Sequence, residues 1–468
     1  MHEINPADIS GEFYDYTRTM EPETPYNYDY SKTLTMKLAL AIPDRKGGSK
    51  VFCNFEEALE IIRRVDAITR GIPKIVYLVG WQYCGHDDKY PAMDEVNPYL
   101  KRPRDETAEQ SLRWLMKEAF RYHTAVSLHI NLTDSYADSP LWQEYLDRGI
   151  IARREDGSLY DIGVWGGKTS CQIDYKAEWE SGCLQTRIQR LLKLLSIQKA
   201  GTIHIDAYLC RTFAGTSLEE QRRYRRKTVR YFRALGVDVT SEFLYNCPGR
   251  DEGTLPPQIA KSQRDDLIGL VPMVWWLNQG MEGRLNRPAR LLCGGRYNPD
   301  LDPSHSGAPG FLAGNSAHGE GSFQLFRDAD PMKWQRSFLA EFALDAVFWY
   351  WQNQLRLLEI RGEGENAEAL YEGEYRASAA DRTIRRGEIL LRAGGDMLAP
   401  LLWREGEYLA YSQNGYAARE WLWDGPKIRG CFSWTENGWL PADEKCEQRD
   451  GRLILSLKPE EALLLQTE

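Results

Sequence analysis

An α/β chain is predicted, a (β/α)8 TIM-type barrel followed by a C-terminal antiparallel β-sandwich domain, and three observations in the 468 residues carry that prediction. Between residues 35 and 354, short β-branched and aliphatic runs alternate with longer segments of helical period. Two consecutive runs, GTIHIDAYLC (201–210) and VDVTSEFLYN (237–246), each carry one acid, Asp206 and Glu242, and a segment of crossover-helix length separates them. From about residue 359 the pattern changes to short runs punctuated by Gly and Asn. The expected division is an N-terminal arm (1–33), a barrel (34–357) and a sandwich (358–468).

In order, residues 1–33 are polar, Tyr-rich and without period, as an irregular arm would be. TMKLALAI (35–42) is the first strand, and Asn54 caps a helix over 55–70 that stops at Gly71. KIVYLVG (74–80) is the second, followed by a loop with Trp81, Gln82, His86, Asp87 and Asp88 immediately past the strand end, where binding loops sit. The helix over 106–123 has a Thr107 and Gln110 capping pair and an apolar stripe at Leu112, Leu115, Met116, Ala119 and Phe120. AVSLHINLT (125–133) is the third strand and carries His129 and Asn131. A long excursion (134–175) then precedes a helix over 176–199.

Ser217 and Glu220 form a capping box at the start of the crossover helix, and Gly236 ends it. The unit makes its flanking strands parallel, so both carboxyl ends open on one face and Asp206 and Glu242 become neighbours. A carboxylate in an apolar strand costs several kcal/mol to bury unless it is paired or used. Pairing with Arg or Lys is the ordinary explanation for one such acid; two at equivalent strand ends favour chemistry. LIGLVPMVWW (267–276) is the next strand, with Trp275 and Trp276 at its end, and an aromatic helix is expected over 331–354. The intervening Gly-rich stretch lacks GxxxxGK[ST] and GxGxxG, which excludes a phosphate cradle of either type.

Net charge of −9 argues against a nucleic-acid surface. The one basic run, Arg222 to Arg226, is expected on a solvated helix face. No basic segment leads into an apolar core at the N-terminus and no run of 18 apolar residues occurs, so neither a signal peptide nor a membrane partner is expected. Nine Cys at irregular spacing, without a CxxC pair, read as reduced thiols of a cytoplasmic protein. Cys84 and His86 lack a second pair at ligand spacing, so no metal is expected. Fifteen Trp and twenty-five Tyr supply aromatic planes of the kind that sugar rings and other flat ligands stack on.

GWQYCGHDD, LHINLTDSY, HIDAYLC and SEFLYN, in that order, resemble the catalytic domain of the endo-α-N-acetylgalactosaminidases of glycoside hydrolase family 101 and the related α-N-acetylgalactosaminidases of family 129. The resemblance implies Asp206 as nucleophile, Glu242 as acid/base and Asp87 as a ligand of sugar hydroxyls. Trp81, Gln82, His86, His129, Asn131 and Tyr208 fall within its motifs; with Trp275 and Trp276, the paired aromatics at the end of LIGLVPMVWW, they are the candidate substrate-binding positions, and no cofactor is implied. The chain departs from the pattern at Tyr83 and Cys84, where an acid usually precedes GHD, and at Asp134, where Glu is more typical. The implied activity is retaining hydrolysis of α-linked N-acetylgalactosamine on glycopeptides or small conjugates. A related α-galactosidase or α-glucosidase, or a non-catalytic carbohydrate-binding barrel, are the alternatives; endo or exo action and oligomeric state are not legible.

Overall fold

The computed structural model describes residues 4–44, 46–241, 266–274, 293, 311, 312, 314, 316–362 and 364–468. Two compact units emerge, one of residues 1–29, 37–60 and 75–275, the other of residues 30–36, 61–74 and 276–468.

The first unit is built on a sheet whose strands stand side by side in sequence order: β1 (Leu34–Ala39), β2 (Lys74–Val79), β3 (Thr124–Asn131), then β7 (Thr202–Asp206) and β8 (Asp238–Ser241). The β3–β7 and β7–β8 pairs are parallel. Every residue of β2 and β3 is buried, the signature of strands covered on both faces rather than half-wet ones. These are five strands among the described residues. Most residues between 242 and 315, where the rest of the expected barrel would lie, are outside the described residues.

Helices start where their caps are written. The Asn54 side chain accepts from the amides of Glu56 and Glu57, and Glu57 reaches back to the Asn54 amide, fixing α1 (Phe55–Ile68). Thr107 caps α2 (Ala108–Glu118). The expected stripe is buried as far as Ala119, but α2 ends at Glu118 in a tighter turn closed by left-handed His123, and this turns Phe120 out to solvent. Between β3 and β7 the excursion forms its own sheet of β4 (Asp134–Tyr136), β5 (Asp161–Trp165) and β6 (Lys168–Gln172). The single helix expected over 176–199 is broken at Gly182, which is left-handed (φ 75°), into α3 (Tyr175–Glu180) and α4 (Cys183–Leu194), with a last short turn at Ile197–Ala200. The crossover helix α5 (Leu218–Ala234) has its Ser217–Glu220 capping box as written.

Two further expectations are corrected. Arg225 and Arg226 are buried rather than solvated. Arg225 lies on the α5 stripe with Val229 and Phe232, and donates to the Tyr208 carbonyl (2.9 Å) and to Asp266 (2.8 Å). Arg226 donates to the Gly11 carbonyl (2.7 Å), to Asp266 and to the exposed Glu219 (2.7 Å), so both guanidinium groups share one buried carboxylate and Arg226 has a second, exposed partner. Nor do the described residues of 267–276 form a strand. The Leu267 carbonyl accepts from Leu270 and Val271, Gly269 is left-handed, and Pro272 has no amide to give a ladder, so this apolar run is a buried turn.

The second unit contains α6 (Lys333–Glu341) and α7 (Val347–Gln354), joined without a break by a wider π-type turn, and a ten-stranded antiparallel sheet beginning at Leu357–Arg361. A three-stranded sheet shares its core: Leu398, Ala410, Cys431 and Leu463 from the large sheet meet Trp421, Leu453 and Leu455 from the small one. Burial alternates along these strands, as in Arg452–Leu457. The fold is thus mixed α/β, a parallel sheet followed by a large antiparallel domain.

Candidate active site

Parallel pairing sets the site. In the β3–β7 register His129 stands opposite His204 and Asn131 opposite Asp206, so two residues from each strand project to one side with period two. Asp206 is the last residue of β7, and the Asn131 amide donates to it (3.3 Å) and to Asp134 (2.8 Å). The Asn131 carbonyl oxygen accepts from the Thr133 and Asp134 amides (2.7 and 2.8 Å), which locks the side chain in place and fixes which end carries the donor.

The loop after β2 brings the remaining groups. Gly80 and Gly85 are left-handed, and a Cβ on either would collide with the Ala41 carbonyl, so only glycine lets the loop fold back and the His86 amide donate to that carbonyl (2.9 Å). Trp81 is buried and donates to the His129 carbonyl (3.0 Å); Gln82 is buried beside it, its backbone bridged to Val96. His86 meets the His129 ring edge-on at 5.1 Å, with its Nε2 3.4 Å from Asp87. His129 in turn lies 3.5 Å from Asp206 through Nε2 and 5.0 Å from the His204 ring.

Burial sets the charges. It depresses the His129 imidazole to about 4, although Asp206 pulls the other way, so this ring is neutral at physiological pH. Burial raises the Asp87 carboxyl, with His86 opposing and Asp206 reinforcing. It pushes Asp134 up to about 7, helped by Asp87 and Asp206. Three acids therefore crowd one site, and burial together with repulsion from Asp87 and Asp206 favours a proton on Asp134.

Of the residues singled out in the sequence, the structure gathers His86, Asp87, His129, Asn131 and Asp206, with Trp81 and Gln82 packed behind. Tyr208 is buried against Tyr175 (5.0 Å), and the Tyr175 hydroxyl donates to the Leu209 carbonyl (2.6 Å). It sits in the layer under α5. Glu242, Trp275 and Trp276 lie outside the described residues. Sequence reasoning missed Asp134 and Lys168 as partners of the site. Lys168, on β6, pairs with buried Asp88 (2.5 Å) and with Asp138 (2.7 Å), which also holds Lys89 (3.0 Å). Asp134 had a local signal, an acid three residues after Asn131; Lys168, 80 residues from Asp88, had none.

Residues 23–250, just under half of the chain, match the family model described as endo-alpha-N-acetylgalactosaminidase, that of glycoside hydrolase family 101. The resemblance to family 101 is borne out. The matched segment holds every residue of the cluster just described, from Trp81 to Asp206. Among solved structures, ligand-free alpha-N-acetylgalactosaminidase NagBb from Bifidobacterium bifidum is 12% identical with a TM-score of 0.48, covering 76% of this chain and 58% of that one. The alpha-galactosidase TtGalA from Thermus thermophilus, in complex with stachyose, is 14% identical with a TM-score of 0.32, covering 57% and 49%. A variant of the family 36 alpha-galactosidase AgaA from Geobacillus stearothermophilus is 13% identical with a TM-score of 0.38, covering 94% and 56%. The chain thus spans somewhat over half the length of NagBb. No protein of curated function matches the sequence. Among the described residues no helix is long and apolar enough to cross a membrane.

Proposed function

We propose that the protein is a retaining glycoside hydrolase that cleaves α-linked N-acetylgalactosamine from glycopeptides or small conjugates by double displacement. The observation that carries this reading is Asp206, at the carboxyl end of a buried parallel strand, accepting from an Asn131 amide that is itself locked, within the segment that matches family 101. Asp206 attacks the anomeric carbon. Glu242 protonates the leaving oxygen and then activates water, two carboxyl groups about 5 to 5.5 Å apart being the spacing of retention. Ser241 pairs with Ile205, and Glu242 and Asp206 are the residues that follow them in sequence.

In this reading the parallel sheet is part of a (β/α)8 barrel over 34–357, residues 1–33 are its arm, and 358–468 support it. Asp87 and the protonated Asp134 hold sugar hydroxyls or their neighbours, Trp81 and Gln82 back the loop, and Trp275 and Trp276 line the sugar. The double displacement needs no metal or cofactor, and the thiol pattern suits the cytoplasm.

Aryl α-glycosides of N-acetylgalactosamine, galactose and glucose, with the first-formed anomer followed by proton NMR, test the proposal. Release from the first substrate with an α product is expected. Preference for galactose or glucose reassigns the sugar, a β product means inversion, and no hydrolysis of any of them leaves a carbohydrate-binding protein.

A further inference from the structure

We infer that His86, His129 and Asp206 form a binding site for a divalent late transition metal, of the Zn2+, Ni2+, Co2+ or Cu2+ class, whose occupation blocks the proposed glycosidase reaction. One ligand atom from each residue lies within 4.8 Å of the other two. The three come from the loop after β2, from β3 and from the end of β7, so adjacent elements of one unit hold them. His129 Nε2 stands 3.5 Å from the Asp206 carboxylate, too long for a strong hydrogen bond and close to the roughly 3.4 Å that separates two ligands of one tetrahedral ion with bonds of about 2.1 Å. His129 is 2% exposed, and neither of its ring nitrogens, Nε2 included, has a hydrogen-bond partner among the described residues.

The surroundings already orient the donors as supporting groups of a metal site do. Asn131 donates to Asp206, and the Asp87 carboxylate lies 3.4 Å from His86 Nε2. Two imidazoles and one carboxylate select borderline ions over Mg2+ and Ca2+, which favour all-oxygen shells. An ion held there engages the same carboxylate oxygens that attack the anomeric carbon, so metal and substrate exclude each other. That consequence rests on the glycosidase reading; the binding itself does not.

The test uses the full chain, freed of any affinity tag and of metal. Co2+ is titrated by its visible absorption and Zn2+ by calorimetry. One ion per chain is expected, released by a chelator, with Zn2+ raising the apparent KM for an aryl α-N-acetylgalactosaminide while kcat stays constant. His86→Ala, on a half-buried loop, should weaken binding at least tenfold with its circular dichroism unchanged, and His86→Cys should restore it. Asp206→Asn, which keeps the shape of the side chain, should weaken it too. Absence of saturable binding, or an affinity unaltered by both His86→Ala and Asp206→Asn, overturns the inference. Stoichiometric binding without hydrolysis of any aryl glycoside would instead leave the metal site standing and remove the glycosidase reading.

Discussion

The parallel sheet of the first unit and the antiparallel sheets of the second solve burial in opposite ways. Strand Arg452–Leu457 alternates, sending Leu453, Leu455 and Leu457 into the core and Arg452 to solvent, where it meets Glu420. On that strand the charge stays at the rim. Strand β3 is buried along its whole length yet includes His129 and Asn131, and Asp134 follows it into the interior. A sheet bent only on stability would fill these positions with Val or Ile; polar groups kept there at a cost are what the proposed active site requires.

Breaking each region should therefore fail differently. The largest effect is expected from Asp206→Asn, which keeps shape and removes the attacking charge: turnover on aryl α-N-acetylgalactosaminides should fall by about a thousandfold or more, as losses of nucleophiles do. Circular dichroism and Tm should stay near wild type. Near-normal turnover in a folded variant would move the nucleophile elsewhere, as would an inhibitor-trapped sugar mapped to another carboxylate.

Glu242→Ala sharpens the same side of the comparison. Loss should be severe for poor leaving groups and slight, in the first step, for a dinitrophenyl glycoside. Azide should restore turnover and give an α-glycosyl azide. Equal slowing on all leaving groups, with indifference to azide, would mark Glu242 as structural.

In the antiparallel region Leu455→Ala removes a fully buried side chain from the shared core. Stability should drop by about 2–5 kcal/mol in denaturant unfolding, while kcat/KM per folded molecule is unchanged. A loss of kcat/KM without a loss of stability would give the second unit a part in binding.

The smallest effect concerns Asp134. Its folded-state value near 7 lies above the ordinary carboxyl value, so between about pH 4 and 7 the folded state holds a proton that the unfolded chain has released. Stability from this group is complete below that window and is lost as pH rises through it. Asp134→Asn removes the dependence, so its Tm relative to wild type should climb by several degrees between pH 4 and pH 8. A difference that is flat with pH would contradict the burial argument.

What could be read from sequence was local. Asn54, Thr107 and Ser217 cap their helices as written, because a cap is decided within three residues. The motif residues His86, Asp87, His129, Asn131 and Asp206 lie close together in the structure. The failures are those of distance. Nothing near Arg225 announces Asp266, 41 residues on, which makes a buried pair out of an apparent surface run. LIGLVPMVWW satisfies a strand's composition, yet Gly269 and Pro272 decide against it, with the Tyr14 ring from the N-terminal arm packed too close to Gly269 for a Cβ.

The Asp88–Lys168 pair makes the loop after β2 and the β4–β6 hairpin sheet a single heritable module. Asp88 is 2% exposed and also receives the Cys84 amide, so a loop transplanted without its hairpin arrives with a buried anion and no cation. Exchange of either segment alone between relatives should yield misfolded rims, whereas exchange of residues 81–97 together with 134–172 should carry ligand preference across intact.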